Sequence, residues 1–146
     1  MLDLSLGFFY RLVSQQKQSE GEYMSIVNLE SVIAVVPVTD QVIAVNWYKK
    51  LLGRDADVVP IEGVAEWQLA EKAWLQVTTD PDNVGNTTVI ISVSDIDAQR
   101  SACAEANVSL GEVVEYPGVV KMVDAIDPDG NKITFVQELS SEANTG

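Results

Sequence analysis

The spacing of hydrophobic and polar positions changes along the chain between a strand-like and a helix-like pattern. Residues 32–38 form an apolar run rich in β-branched side chains, which predicts a buried strand. In residues 41–52 the apolar side chains recur at helical spacing, with Thr39-Asp40 before them as a cap and Gly53 after them as a left-handed terminator. Three short strands are then predicted, over residues 56–60, 64–70 and 74–78.

The same order of elements begins again after a polar loop. Ser94-Asp95 caps a second predicted helix, and Asn107 ends it, because Asn tolerates the left-handed conformation that Gly53 supplies after the first helix. The repeated elements are the loop at residues 80–86, a strand at 87–93, the helix at 96–106, and strands at 111–116, 119–126 and 132–138. The chain therefore contains two copies of a β-α-β-β-β unit, at about residues 30–79 and 87–138.

Neither unit can bury its sheet alone, because one helix covers only one face of a short sheet. We therefore predict an α+β fold in which two βαβββ modules form a curved, cupped mixed sheet with the two helices on its convex face. The predicted domain covers residues 30–139, between an N-terminal extension at residues 1–29 and a polar C-terminal tail at residues 140–146.

The N-terminal extension differs in composition from the predicted domain. Its apolar stretch at residues 2–13 is too short to span a bilayer, and it lacks the basic region and the cleavage site of a signal peptide. Two interpretations remain open. Either Met24 is the natural start of the protein, or residues 1–23 form a short amphipathic helix that packs on the domain or on a partner.

Composition restricts the chemistry. The chain contains no histidine, which excludes Ser-His-Asp and Cys-His catalysis and every histidine-based site for zinc, iron or copper. Its single cysteine, Cys103, cannot form an internal disulfide and is interpreted as a buried filler, in agreement with a cytoplasmic location. The formal net charge of -13 opposes binding to nucleic acid and to acidic membrane surfaces, and it favours a cationic ligand or partner.

Four short motifs lie at the boundaries of the predicted elements. They are P-V-T-D at residues 37–40, W-Y-K-K-L-L-G at 47–53, V-S-D-I-D-A at 93–98 and D-P-D-G-N-K-I at 127–133. In this order and at these spacings they resemble the glyoxalase/bleomycin-resistance/dioxygenase (vicinal oxygen chelate) superfamily, over nearly all of the chain after Met24. The last motif is a turn in which Pro fixes φ and Gly supplies a positive φ, so its acidic residues are interpreted as structural.

The resemblance implies where a metal ion would be held. Enzymes of the superfamily usually bind a divalent metal with His, Glu or Gln at four strand positions, which correspond in this sequence to Ile33, Gln76, Thr88 and Thr134. Ile33 has no donor atom, the two threonines are neutral hydroxyls, and only Gln76 offers an amide oxygen. Because a dication needs several anionic or imidazole ligands to replace its water, we predict no metal, no other cofactor and no catalytic residue.

Metal-free members of the superfamily, such as bleomycin-resistance proteins, bind a ligand in the cup without converting it. Counting alternate residues along the strands gives the cup an aromatic wall and several hydroxyl or amide groups. The residues predicted to contact the ligand are Ile33, Val35, Trp67, Trp74, Gln76, Thr88, Ile90, Lys121 and Thr134. Lys121 is expected at the rim in a salt bridge, and the alternative for the tryptophans is that they fill a core or a dimer contact.

Three functional hypotheses remain. The first is a metal-free protein that binds a small organic molecule, in a narrower form a cationic or aromatic compound that it sequesters. The second is a lyase, isomerase or dioxygenase of the same superfamily with an atypical metal site, which Gln76 favours. The third is a structural or regulatory module that binds a partner through its acidic surface. The resemblance further implies a homodimer.

Overall fold

The computed structural model describes residues 28–139, which contain eight strands, two α-helices and a short 3-10 turn. In chain order these are β1 (Val32–Val38), α1 (Gln41–Leu52), β2 (Val58–Ile61), β3 (Val64–Ala70), β4 (Ala73–Thr79), the 3-10 turn (Pro81–Asn83), β5 (Thr88–Ser92), α2 (Ile96–Glu105), β6 (Val114–Tyr116), β7 (Val120–Ile126) and β8 (Lys132–Glu138). The expectations for residues 1–23 and for the tail at residues 140–146 lie outside the described residues.

The duplicated βαβββ order and the α+β class are confirmed. The strands pair in the orders β1-β4-β3-β2 and β5-β8-β7-β6, and in each sheet the first strand is parallel to the fourth while the other neighbours are antiparallel. We call β1 to β4 with α1 the N-module, and β5 to β8 with α2 the C-module. In the described chain, strands pair only within their own module. The single larger sheet that was expected is therefore two four-stranded sheets, and the first strand of each module lies at an edge of its sheet.

The helix ends follow the signals in the sequence. The side chain of Asp40 accepts a hydrogen bond from the backbone N–H of Ile43 (3.0 Å) at the start of α1, and Asp95 caps α2 in the same way. Gly53 ends α1 with a φ of 78°, and Asn107 follows α2 with a φ of 62°, both in the left-handed region. Among residues 28–139, no helix is long and apolar enough to cross a lipid bilayer.

The helices cover one face of the sheets, and the buried side chains of both modules form one continuous cluster. Its largest fully buried members are Trp67, Tyr48, Phe135, Leu51, Leu75, Ile96 and Ile133. Cys103 belongs to the same cluster, and burial raises the pKa of its thiol, which keeps the sulfur in its unreactive protonated form. The interpretation of Cys103 as a buried filler is therefore confirmed.

The turn between β7 and β8 joins the two modules. The buried carboxylate of Asp127 accepts a hydrogen bond from the hydroxyl of Tyr48 in α1 (2.8 Å), and the carboxylate of Asp129 accepts one from the backbone N–H of Thr39 (3.0 Å). Burial, and then the negative charge of Asp127, raise the pKa of Tyr48, so the phenol keeps the proton that it donates. The acidic residues of this turn have structural partners, in agreement with their interpretation from the sequence.

Candidate functional site

The two faces of the N-module sheet carry different residues. Val36 of β1 is fully buried in the core on the helix side of the sheet. Because successive side chains of a strand point to opposite faces, Ile33 and Val35 lie on the face opposite the helix. We call this face, and the corresponding face of the C-module, the cup face. The strand register continues it across the sheet, because Val35 lies beside Gln76 in β4 and Gln76 lies beside Glu66 in β3.

The cup face of the N-module is apolar and accessible along its outer strands. Ile33 and Val35 in β1 are 48% and 47% exposed, and Val58 and Ile61 in β2 are 42% and 66% exposed. Trp74 lies beside Ile33 in the register and is partly buried. An exposed apolar face that contains an aromatic side chain is typical of a surface that binds a ligand or a partner.

A line of hydrogen bonds crosses the middle of this face. The hydroxyl of Thr78 donates to Gln76 Oε1 (2.7 Å), and Gln76 Nε2 donates to Glu66 Oε2 (2.9 Å). These contacts fix the orientation of the Gln76 amide, because its oxygen faces Thr78 and its nitrogen faces Glu66. The strand register likewise places Glu66 next to Gln76 on this face.

The C-module has the same arrangement of neighbouring residues across three of its strands. Ile90 in β5 lies beside Thr134 in β8, and Thr134 lies beside Asp124 in β7. The hydroxyl of Thr134 donates to Asp124 Oδ1 (2.7 Å). Asp124 and Thr134 therefore occupy the positions that Glu66 and Gln76 occupy in the N-module. Asp124 is not among the residues predicted from the sequence to contact a ligand.

The two cup faces differ in accessibility. In the C-module, Met122 and Val136 lie on the face opposite the core residues Val123 and Phe135, yet they are only 6% and 1% exposed. Thr134 on the same face is 2% exposed. A ligand in solution therefore reaches the apolar residues of the N-module face more readily than those of the C-module face.

Most of the residues predicted to contact a ligand lie on one of the two cup faces. Thr88 lies beside Lys132, which is two residues before Thr134 in β8. In the same way, Ile33 lies beside Trp74, which is two residues before Gln76 in β4. The predicted residues on the cup faces are Ile33, Val35, Trp74 and Gln76 in the N-module and Thr88, Ile90 and Thr134 in the C-module.

Trp67 lies on the other side of its sheet. It pairs with Leu75, is fully buried in the core, and donates a hydrogen bond from its indole Nε1 to the backbone oxygen of Arg54 (3.0 Å). Its ring centroid is 6.2 Å from that of Tyr48 in α1. Trp67 is therefore a core residue, which was the alternative open for the tryptophans, and it is left out of the candidate site.

Lys121 also lies on the helix side. It shares that side of β7 with the buried Val123, and its neighbour in the register, Gln137, accepts a hydrogen bond from the backbone N–H of Ile96 at the start of α2. The expected salt bridge is present, with 3.9 Å between Lys121 Nζ and Glu115 Oε1. The strand alternation turns this ion pair away from the cup face, so Lys121 is also left out of the site.

The donor atoms on the cup faces do not fit the tightly held dication of the family's enzymes. Glu66 and Asp124 add one carboxylate each beside Gln76 and Thr134, but the donor set of each module then contains a single anionic group and no imidazole. Ile33 still contributes no donor atom. Within residues 28–139, no group of three or more His, Cys, Asp or Glu side chains is arranged to hold a metal ion.

Two surface grooves lie near the helices instead. One of about 600 Å³ is bounded by Arg100 and residues 107–111 after α2, and one of about 290 Å³ lies between the end of α1 and α2. The guanidinium of Arg100 is 3.5 Å from the carboxylate of Asp97 and is partly neutralised by it. The described residues that line these grooves include no aromatic side chain, so the grooves offer less to an organic ligand than the cup face around Trp74.

Comparison with known proteins gives matches among solved structures. A scan against protein-family models gave no match, and a search of curated proteins gave no significant match. The structure of a glyoxalase/bleomycin resistance protein from Catenulispora acidiphila is 33% identical in sequence, and the match covers 75% of this chain and 98% of that protein with a TM-score of 0.72.

Two further structures share the fold at lower identity. TnmS3, an antibiotic binding protein from a Streptomyces species, is 23% identical, and the match covers 80% of this chain and 99% of TnmS3 with a TM-score of 0.65. A bleomycin-binding protein in complex with bleomycin is 15% identical, and the match covers 75% of this chain and 99% of that protein with a TM-score of 0.63. With 33% identity over nearly the whole Catenulispora protein, the chain belongs to the glyoxalase/bleomycin resistance protein family, whose vicinal oxygen chelate fold it shares.

Proposed function

We propose that the protein binds a small organic molecule on its cup faces, without a resident metal and without converting the molecule. The observation that carries this proposal is the N-module cup face, where Trp74, Ile33 and Val35 form an accessible apolar surface. Beside it lies the hydrogen-bonded pair of Gln76 and Glu66. A preformed apolar surface with a few oriented polar groups is the usual composition of a small-molecule site.

In this proposal the indole of Trp74 stacks on a planar or cationic group of the ligand, and Ile33 and Val35 contact its apolar parts. The C-module contributes Thr88, Ile90 and Thr134. Two structural neighbours, an antibiotic binding protein and a bleomycin-binding protein in complex with bleomycin, support binding of this kind. With the net charge of -13, they favour a cationic or aromatic compound that the protein sequesters in the cytoplasm.

Titration with bleomycin tests the proposal through tryptophan emission. Trp74 lies on the cup face, whereas Trp67 is buried in the core and Trp47 packs edge-on against Tyr48 in α1. We expect bleomycin to quench part of the emission of the native protein and the quenching to disappear in W74F. The matched control W47F should retain it. A titration that changes neither the emission nor the heat of the native protein contradicts binding of this drug.

We further propose that the protein is a homodimer. β1 and β5 are edge strands of their sheets, and Val32, Ile33 and Val35 on β1 are between 47% and 70% exposed. An apolar edge strand readily pairs with or packs on a second chain. A second copy packed along these edges would bury the exposed side chains and extend the cup faces across the interface.

The second candidate function is catalysis with an atypical metal site. Glu66 and Asp124 favour it, because each places a carboxylate beside one of the four family positions. Native mass spectrometry of protein purified without chelator distinguishes the candidates. We expect the mass of a dimer without metal. A stoichiometric equivalent of nickel, zinc, manganese or iron would support the enzyme, and the mass of a single chain would contradict the dimer.

A further inference from the structure

The hydrogen bonds on the N-module cup face all run in one direction. Thr78 donates to Gln76 Oε1, and Gln76 Nε2 donates to Glu66 Oε2, so the last acceptor is the carboxylate of Glu66. A carboxylate can accept several hydrogen bonds, and this chain of donors uses only one of those positions. Within residues 28–139, no side chain or backbone group donates to the other oxygen, Oε1. The face therefore keeps an open anionic acceptor.

Glu66 also has no cationic partner. Among the described residues, no ion pair includes it, and the lysine closest to it along β3 and β4, Lys72, is exposed in the turn beyond Trp74. Glu66 is partly buried between Gln76 in β4 and the apolar Val58 in β2. One neutral hydrogen bond replaces only part of the hydration that a carboxylate loses in such a place, so the position favours a positive charge from another molecule.

The indole of Trp74 lies on the same face of the same sheet. The register places Gln68 opposite Trp74 and Glu66 opposite Gln76, so Trp74 and Glu66 are diagonal neighbours on adjacent strands. Residues in this relation are about 7–8 Å apart, which is within reach of aromatic and long side chains. Both are only partly buried. One small molecule can therefore contact the ring and the carboxylate together, without a contribution from the C-module.

Resting on the proposed function, we propose that Glu66 selects aromatic ligands whose ring system carries a protonated nitrogen with at least one N–H. The ring stacks on Trp74, the N–H donates to Glu66 Oε1, and Gln76 orients the carboxylate through its other oxygen. Such a cation is bound more tightly than a neutral molecule of the same ring system. It is also bound more tightly than a quaternary cation, which has the charge but no hydrogen to donate.

Three acridine dyes separate the charge from the hydrogen bond. Near neutral pH, 9-aminoacridine is a cation whose nitrogens carry hydrogen, 10-methylacridinium is a cation without an N–H, and acridine is neutral. The net charge of -13 attracts the two cations equally at long range, so a difference between them reports a local contact.

The variant E66Q removes the negative charge but keeps the side-chain size and an oxygen that accepts the hydrogen bond from Gln76. The matched control is E62Q, because Glu62 is exposed in the turn between β2 and β3 and its replacement changes the net charge by the same amount.

We expect dye fluorescence to show that the native protein binds 9-aminoacridine about tenfold more tightly than 10-methylacridinium, and acridine most weakly. E66Q should lose the preference between the two cations, and E62Q should retain it. Thermal melting of both variants verifies that the fold is kept.

Three outcomes overturn this inference. The native protein binds the two cations equally, or it binds none of the dyes, or E66Q keeps the same preference as E62Q. In each case the bleomycin titration still decides the proposed function by itself, because quenching that depends on Trp74 requires no hydrogen bond to Glu66.

Discussion

Replacement of Asn131 by aspartate is expected to lower the free energy of unfolding by about 3–5 kcal/mol. The side chain of Asn131 is fully buried at the junction of the two modules. Its Nδ2 donates to the backbone oxygen of Pro37 (2.8 Å) and to the carboxylate of Asp127 (2.9 Å). Its Oδ1 accepts from the backbone N–H groups of Gly85 (3.0 Å) and Thr87 (3.3 Å). All four hydrogen-bonding positions of the amide are used.

Aspartate at this position turns two of these contacts from attraction into repulsion. An ionised carboxylate has no hydrogen to donate, so it faces the Pro37 oxygen and the Asp127 carboxylate with negative charge in a buried place. The matched control is N83D. The Asn83 amide also donates to a carboxylate, that of Asp80 (2.9 Å), but Asn83 is exposed, so its replacement should cost about 1 kcal/mol or less. Urea denaturation followed by tryptophan emission measures both, and equal losses would contradict the role of Asn131.

The order of the elements could be predicted because the signals that set it are local. Gly53 and Asn107 take the left-handed conformation next to the helices that they end, and Asp40 caps the helix that begins one residue later. The boundaries predicted for the outermost strands were less accurate. Residues 56–60 and 111–116 were expected, whereas β2 and β6 cover Val58–Ile61 and Val114–Tyr116. Each of these strands pairs with only one neighbour, so the extent of pairing decides where it begins.

The position of Asp124 beside Thr134 follows from the sequence pattern alone. The turn at residues 127–131 places Ile126 beside Lys132, and counting two residues along both strands brings Asp124 beside Thr134. A charged residue in the otherwise apolar run at residues 122–126 was the signal. Because Thr134 was already a predicted site residue, the alternation of β7 and β8 was sufficient to identify its partner.

The position of Glu66 could not be obtained in the same way. The register between β3 and β4 shifts between Gln68 and Ala70, an irregularity that changes the pairing by one residue. Counted from the pair of Ala70 and Ala73 without the shift, Trp67 would lie opposite Gln76 and would face the cup. With the shift, Glu66 takes that place and Trp67 turns into the core. A shift of this kind leaves no pattern of hydrophobic positions from which it can be read.

This register places Trp67 in the core and Trp74 on the cup face, so replacing the two residues is expected to change the free energy of unfolding by different amounts. Trp67→Ala is expected to lower the free energy of unfolding by about 3–5 kcal/mol, because the ring is fully buried against Tyr48 and its removal leaves a cavity between the sheet and α1. Trp74→Ala removes a partly exposed ring from the cup face, so its cost should be about 1 kcal/mol or less.

The effect on bleomycin binding should be the reverse. W74A should weaken binding because it removes the proposed contact with the drug, whereas W67A should not remove a contact, because the ring of Trp67 does not reach the cup face. Urea denaturation of W67A and W74A, followed by circular dichroism so that the loss of a tryptophan does not affect the signal, compares the two directly. If β3 paired without the shift at residues 68–70, Trp67 would share the cup face with Gln76, and W67A would then unfold as readily as W74A. A loss of stability confined to W67A is expected only from the shifted register, which is also the arrangement that places the Glu66 carboxylate beside Gln76.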